Sequence, residues 1–140
     1  MSAKVFIDTN VLVYAHDIDA GHKHQIAKNI LLGLSQQRAG AVSMQVLQEF
    51  YVTVTRKITS PLSKDEARAI VEDFSHWCVV TTPEDIRQAF LIEDGARIGF
   101  WDALIIAAAV RSGATRILSE DMHHGQTIAG IPIENPFLVP

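Results

Sequence analysis

The chain has 140 residues, is 48% hydrophobic and 20% charged, and carries a formal net charge of -4. That composition suffices for one enclosed core and excludes a disordered polar tail or a basic coat over nucleic acid, so any nucleic-acid contact is expected to be local. The lone cysteine, Cys78 in Trp77-Cys78-Val79-Val80, leaves no internal disulfide, argues against a zinc cluster and reads as a packing residue. The N-terminal apolar stretch stops at Asp8, too short for a signal peptide, and no later run reaches membrane-spanning length. A soluble, cytoplasmic protein without membrane contact, folded as a single domain over residues 1–140, is the expectation.

Val5-Phe6-Ile7 is a continuous apolar run that ends in Asp8-Thr9-Asn10, the pattern of a buried strand meeting polar chemistry at its C-terminal end; Val11-Leu12-Val13-Tyr14 then begins a helix. From His22 to Leu34, Ile26, Ala27, Ile30, Leu31 and Leu34 recur at helical spacing, and Ala41-Val42-Ser43 starts a brief strand. Leu47, Phe50, Tyr51, Val54 and Ile58 form a helical stripe from Met44 to Ile58, although Val52-Thr53-Val54-Thr55 alone favours a strand. Ser63 with Glu66 three residues on reads as a capping box opening a helix through Phe74. Trp77 to Val80 reads as a strand, and Thr82-Pro83-Glu84 opens a helix whose inward face includes Ile86, Ala89, Phe90 and Ile98, interrupted at Gly99.

Ala103 to Val110 has no polar face, so this helix is expected to lie buried, closed by Gly113; Arg116-Ile117-Leu118 is the next strand, ending at Ser119. The segment Ile131 to Pro140 adds a last edge strand. Short apolar strands alternating with helices predict an α/β fold with a short, mainly parallel central sheet flanked by helices.

Asp8 and Asp121 fall at or just beyond strand C-termini, where open parallel sheets place their ligand crevices. Asp102 stands directly before the apolar helix, where its carboxylate either caps free backbone N–H groups or faces the crevice. Glu49 lies about 100° from Phe50 around its helix, bordering the apolar stripe, and spacing alone favours a solvated surface residue. Were all four carboxylates to meet, their repulsion would call for a cation, and oxygen-only donors favour Mg²⁺ or Mn²⁺.

Three segments together resemble the PIN-domain family across nearly the whole chain: Phe6-Ile7-Asp8-Thr9-Asn10-Val11-Leu12-Val13-Tyr14, Phe100-Trp101-Asp102-Ala103-Leu104-Ile105-Ile106-Ala107-Ala108-Ala109 and Ile117-Leu118-Ser119-Glu120-Asp121-Met122. The likeness is greatest to VapC-type toxins of prokaryotic toxin–antitoxin pairs. The resemblance implies that Asp8, Glu49, Asp102 and Asp121 form an acidic quartet, supported by Thr9, Asn10 and Ser119. It further implies metal-dependent cleavage of RNA, a separately encoded antitoxin and a homodimer. In that scheme Asp8, Asp102 and Asp121 hold the cation directly or through water, and Glu49 orients or deprotonates the attacking water.

Arg56, Lys57, Arg87 and Arg97 offer phosphate contacts, or are simply solvated helix charges. His123 and His124 follow Asp121 and either reach substrate or are solvated, the commoner case, whereas His16, His22 and His24 read as surface residues rather than a zinc site. Phe100 and Trp101 suit core packing or a dimer contact better than stacking on an unpaired base. Two other function classes compete: a PIN scaffold that binds RNA or protein without cutting, and a receiver-like phosphoacceptor, which Val79-Val80-Thr81 deprives of its aspartate.

Overall fold

In the computed structural model, which describes residues 3–122 and 124–138, five strands form one sheet in the order β2-β1-β3-β5-β4. The strands are β1 (Lys4–Ile7), β2 (Gly40–Ala41), β3 (Ala114–Leu118), β4 (Thr127–Ile128) and β5 (Ile131–Glu134). β1 pairs in parallel with β2 and β3, β3 in parallel with β5, and β4 runs antiparallel to β5. The chain leaves β1 toward one neighbour and returns to the other side at β3. That reversal opens a crevice at the C-terminal ends of β1 and β3.

Among the described residues six α-helices pack around the sheet: α1 (Thr9–Tyr14), α2 (His22–Gln37), α3 (Met44–Arg56), α4 (Lys64–Phe74), α5 (Pro83–Ala96) and α6 (Phe100–Ser112). Val5, Phe6 and Ile7 of β1 are buried together with Ile117 and Leu118 of β3, as continuous apolar strands covered on both faces require. α6 buries Ala103, Ile105, Ile106, Ala107, Ala108 and Ala109, and Gly113 closes it in the left-handed conformation (φ 76). Small side chains let that helix sit close to both the sheet and α5. α3 is helical despite its Val-Thr-Val-Thr segment, because Val46, Leu47, Phe50 and Val54 all face the core.

Four local expectations are corrected. Trp77 to Val80 is no strand: Ser75–Trp77 is a 3-10 turn, followed by one parallel bridge between Val42 and Cys78. β2 is too short to template more, because Ser43 already serves as the N-cap of α3. The terminal strand is interior rather than an edge, since β4 pairs on its outer side through a tight turn with Ala129 (φ 52) and Gly130 (φ 80). Two positive φ values give the strand-matched hairpin geometry, and an Ala-Gly pair is a weak sequence signal for it.

The third correction concerns α5, which ends at Ala96 with Arg97 left-handed (φ 55), leaving Ile98 in the link to α6; Ile86 and Phe90 are exposed rather than inward-facing, and Ala89 is buried as expected. α6 starts at Phe100 with Gly99 as N-cap, so Asp102 occupies its third position rather than the cap. Lastly, His16 is packed rather than superficial: its ring lies 5.4 Å from Phe50 and 6.0 Å from Phe74. Burial lowers its pKa.

At Ser63 the hydroxyl accepts from the Glu66 N–H at 3.1 Å and donates to the Glu66 carboxylate at 3.0 Å, so the cap forms with a side-chain link. Gly40 is dictated by contact, since a Cβ there would lie 2.1 Å from the Trp77 ring. No helix among the described residues is long and apolar enough to cross a membrane.

Candidate active site

β1 delivers Asp8 to the crevice and β3 delivers Ser119 beside it. The Asp8 N–H donates to the Leu118 carbonyl at 3.0 Å, and the Ser119 N–H to the Glu134 carbonyl at 3.0 Å. Asp8 is also the N-cap of α1, accepting from the Thr9 N–H at 2.7 Å. Its second oxygen accepts from the Ser119 hydroxyl at 2.7 Å and from the Asn10 amide at 3.4 Å. The cap forms because Asp8 is extended (φ -75, ψ 163) where the strand passes straight into the helix.

Asn10 spans two acids. Its amide nitrogen also donates to Asp121 at 3.2 Å, while its oxygen accepts from the Glu120 N–H at 3.0 Å. Ser119 fixes the same turn from inside, its hydroxyl oxygen accepting from the N–H groups of Asp121 and Met122, each at 3.2 Å. Glu49 arrives from α3: Thr9 donates to one carboxylate oxygen at 3.2 Å and Gln45 to the other at 2.8 Å. Gln45 also reaches the Trp101 carbonyl at 3.4 Å, tying Glu49 to the first turn of α6, where Asp102 lies exposed.

Asp8 is 7% exposed. Burial pushes its carboxyl up to about 6, against the pull of the Ser119 and Thr9 bonds and with help from the nearby charges of Asp121 and Glu49. Glu120, adjacent in sequence, faces elsewhere. It accepts from the Tyr14 hydroxyl at 2.5 Å and pairs with Lys23 at 2.6 Å.

The structure thus gathers Asp8, Glu49 and Asp121 with Thr9, Asn10 and Ser119, and sets Asp102 next door across the Gln45 bridge. An open cleft of ≈ 440 Å³ is lined by Asn10, Glu49, Thr53, Lys57 and Asp121. Of the other expected substrate contacts, Lys57 lines the cleft, whereas Arg56 and Arg97 are exposed outside it. Arg87 is engaged with Glu84 at 2.7 Å. His124 accepts from the Asn135 N–H at 2.9 Å, and His123 lies outside the described residues. Sequence reading missed Gln45, whose position four residues before Glu49 was the available signal.

Among the described residues, no three His, Cys, Asp or Glu side chains already surround a common point as a metal cage would. The donor chemistry nonetheless fits a hard cation: every side chain around Asp8 offers oxygen ligands or neutral donors, and Asp8 resists ionisation without positive charge beside it. A larger hollow of ≈ 530 Å³ lies between α3, α5 and α6. Its one lining carboxylate, Asp85, is already paired with Arg111 at 2.6 Å, so it lacks this character.

The PIN domain family model matches residues 5–127. The chain belongs to the PIN domain family. Among solved structures similar to this PIN domain is a toxin–antitoxin complex from Klebsiella pneumoniae, with TM-score 0.67 and 20% identity over 99% of this chain and 100% of the other. VapBC2 from Rickettsia felis, bound to a promoter DNA fragment, aligns with TM-score 0.64 and 19% identity over 94% and 97% of the two chains. VapC20 from Mycobacterium tuberculosis, described as a toxin that cleaves the Sarcin-Ricin loop, gives TM-score 0.56 and 18% identity over 81% and 87%. No curated protein sequence matches the chain.

Proposed function

We propose that this PIN domain is a divalent-cation-dependent endoribonuclease and the toxin of a toxin–antitoxin pair. The observation that carries the reading is Asp8: a carboxylate held only by neutral donors, whose burial, with a smaller push from the charges of Asp121 and Glu49, raises its pKa to about 6. A cluster of this kind sits where charge must be supplied from outside, and an anionic substrate alone would worsen its repulsion.

Asp8, Asp121 and Asp102 would hold Mg²⁺ or Mn²⁺, which when bound supplies charge neutralisation at the phosphoryl oxygens and a more acidic water. Thr9 and Ser119 keep the Asp8 carboxylate aimed into the crevice. Glu49 has each oxygen oriented by one donor and lone pairs to spare, so it can accept the proton of the attacking water. Lys57, on the cleft wall, faces the substrate backbone as its nearest lining cation.

RNA as substrate is supported by the cleavage described for VapC20, and an antitoxin partner by the toxin–antitoxin complexes of the other similar structures. Exposed Ile86, Phe90 and Trp101 offer apolar surface for the homodimer included in this reading. The proposed compartment is the cytoplasm, where such a substrate resides.

The test is cleavage of labelled single-stranded RNA and matched DNA with Mn²⁺ or Mg²⁺, with chelator, and with Asp8→Asn and Asp121→Asn. Expected is metal-dependent RNA cutting that falls more than about 100-fold in both variants. Cutting that survives in both, or folded Mn²⁺-bound protein inert on a broad RNA panel, overturns the reading.

A further inference from the structure

Ser119, Glu120 and Asp121 are consecutive, yet the middle side chain leaves the crevice while its neighbours enter it. Both Glu120 oxygens are occupied, one by the Tyr14 hydroxyl at 2.5 Å, the other by the Lys23 ammonium at 2.6 Å. Lys23 also stands 5.1 Å from the Tyr14 ring centroid, and that ring meets Phe137 edge-on at 5.1 Å, which restricts its swing. Each Glu120 oxygen is thus engaged by a partner outside the acidic quartet.

Its backbone does the work inside. The Glu120 N–H donates to the Asn10 oxygen at 3.0 Å, which turns the Asn10 nitrogen toward Asp121 and Asp8. The geometry points to Glu120, anchored by Tyr14 and Lys23, as a positioning residue that sets the Asn10 amide and thereby aims Asp121 at the cation site. The inference rests on the nuclease reading above. It goes further in assigning function to three residues outside the acidic quartet. The competing account is a partly exposed ion pair that adds a little stability and nothing else, since the side chains of Lys23 and Glu120 are 44% and 21% exposed.

Mn²⁺ binding measured by calorimetry on the full chain, well below its melting temperature, separates the two. Glu120→Gln and Tyr14→Phe are expected to weaken Mn²⁺ binding by about 10-fold with circular dichroism unchanged, and to lower kcat for RNA with KM unchanged. Lys23→Met is expected to act likewise, while Lys23→Arg, which keeps the pair, retains wild-type affinity. In an Asp121→Asn background, Glu120→Gln is expected to change nothing more, because both act through one group. Unchanged affinity in the single variants, even with a lowered melting temperature, overturns the inference. So does an equal loss in the Asp121→Asn background. A wild-type chain that binds no Mn²⁺ overturns the nuclease reading and this inference together.

Discussion

Asp8 and Asp85 are both buried carboxylates, 7% and 3% exposed, and both sit at a helix start. Asp85 accepts from the Thr82 N–H at 2.7 Å and meets the Arg111 guanidinium at 2.6 Å, so its charge stitches α5 to the end of α6. Asp8 meets the Thr9 N–H, the Ser119 hydroxyl and the Asn10 amide, with two further acids close by and no cation among these partners. One end of the molecule has spent a buried charge on cohesion; the other holds an unmet demand for positive charge. A carboxylate's burial therefore says little until its partners are known.

Breaking the satisfied pair should have the largest effect. Arg111→Met leaves Asp85 buried without its counter-charge, and urea unfolding at pH 7 should show a loss of about 3 kcal/mol, the low end for such pairs because Arg111 is partly exposed.

Asp8 gives a contribution of similar size in the opposite direction. Its carboxyl rises from 3.8 to about 6, so between those values the folded chain holds a proton that the unfolded chain has released. The resulting stabilisation is complete below about 3.8 and lost as pH rises through about 6. His16, lowered by burial, has the reverse slope in its own range, so the informative quantity is wild type against Asp8→Asn. In chelator, the variant should gain roughly 2.5 kcal/mol on wild type from pH 4 to pH 7. A constant difference would show that Asp8 is not strained by burial.

Mn²⁺ at 100 times its dissociation constant should restore about 2.7 kcal/mol to wild type in a thermal-shift measurement, and nothing at that concentration to Asp8→Asn. Smallest of the four, Ser119→Ala removes a donor to the buried carboxylate and should cost about 2 kcal/mol at pH 7. That cost should diminish below the Asp8 pKa.

Much of this layout was legible before any coordinates. Apolar runs ending in Asp8 and Ser119 marked the strands that carry the site, and the all-apolar Ala103 to Val110 segment marked a buried helix closed by Gly113. Gln45 and the Ala129-Gly130 hairpin were missed for different reasons. The first matters only because α3 brings Glu49 to Thr9, 40 residues away in sequence. The second uses residues that rarely announce a turn with two positive φ values. Trp77 to Val80 misled because an apolar run predicts burial, whereas a strand also needs a partner long enough to pair with.

The sequence by itself determined the class of fold and the residue types at the strand ends, because burial on both faces demands continuous apolar strands and their ends must turn polar. Tertiary structure decided which acids lie together. It turned Asp121 inward and Glu120 outward, drew Glu49 to the rim through Thr9 and Gln45, and moved Asp102 from the cap into the first turn of α6. Such choices rest on hydrogen bonds between groups up to 111 residues apart. No local pattern encodes them, since their geometry exists only after the strands and helices have packed.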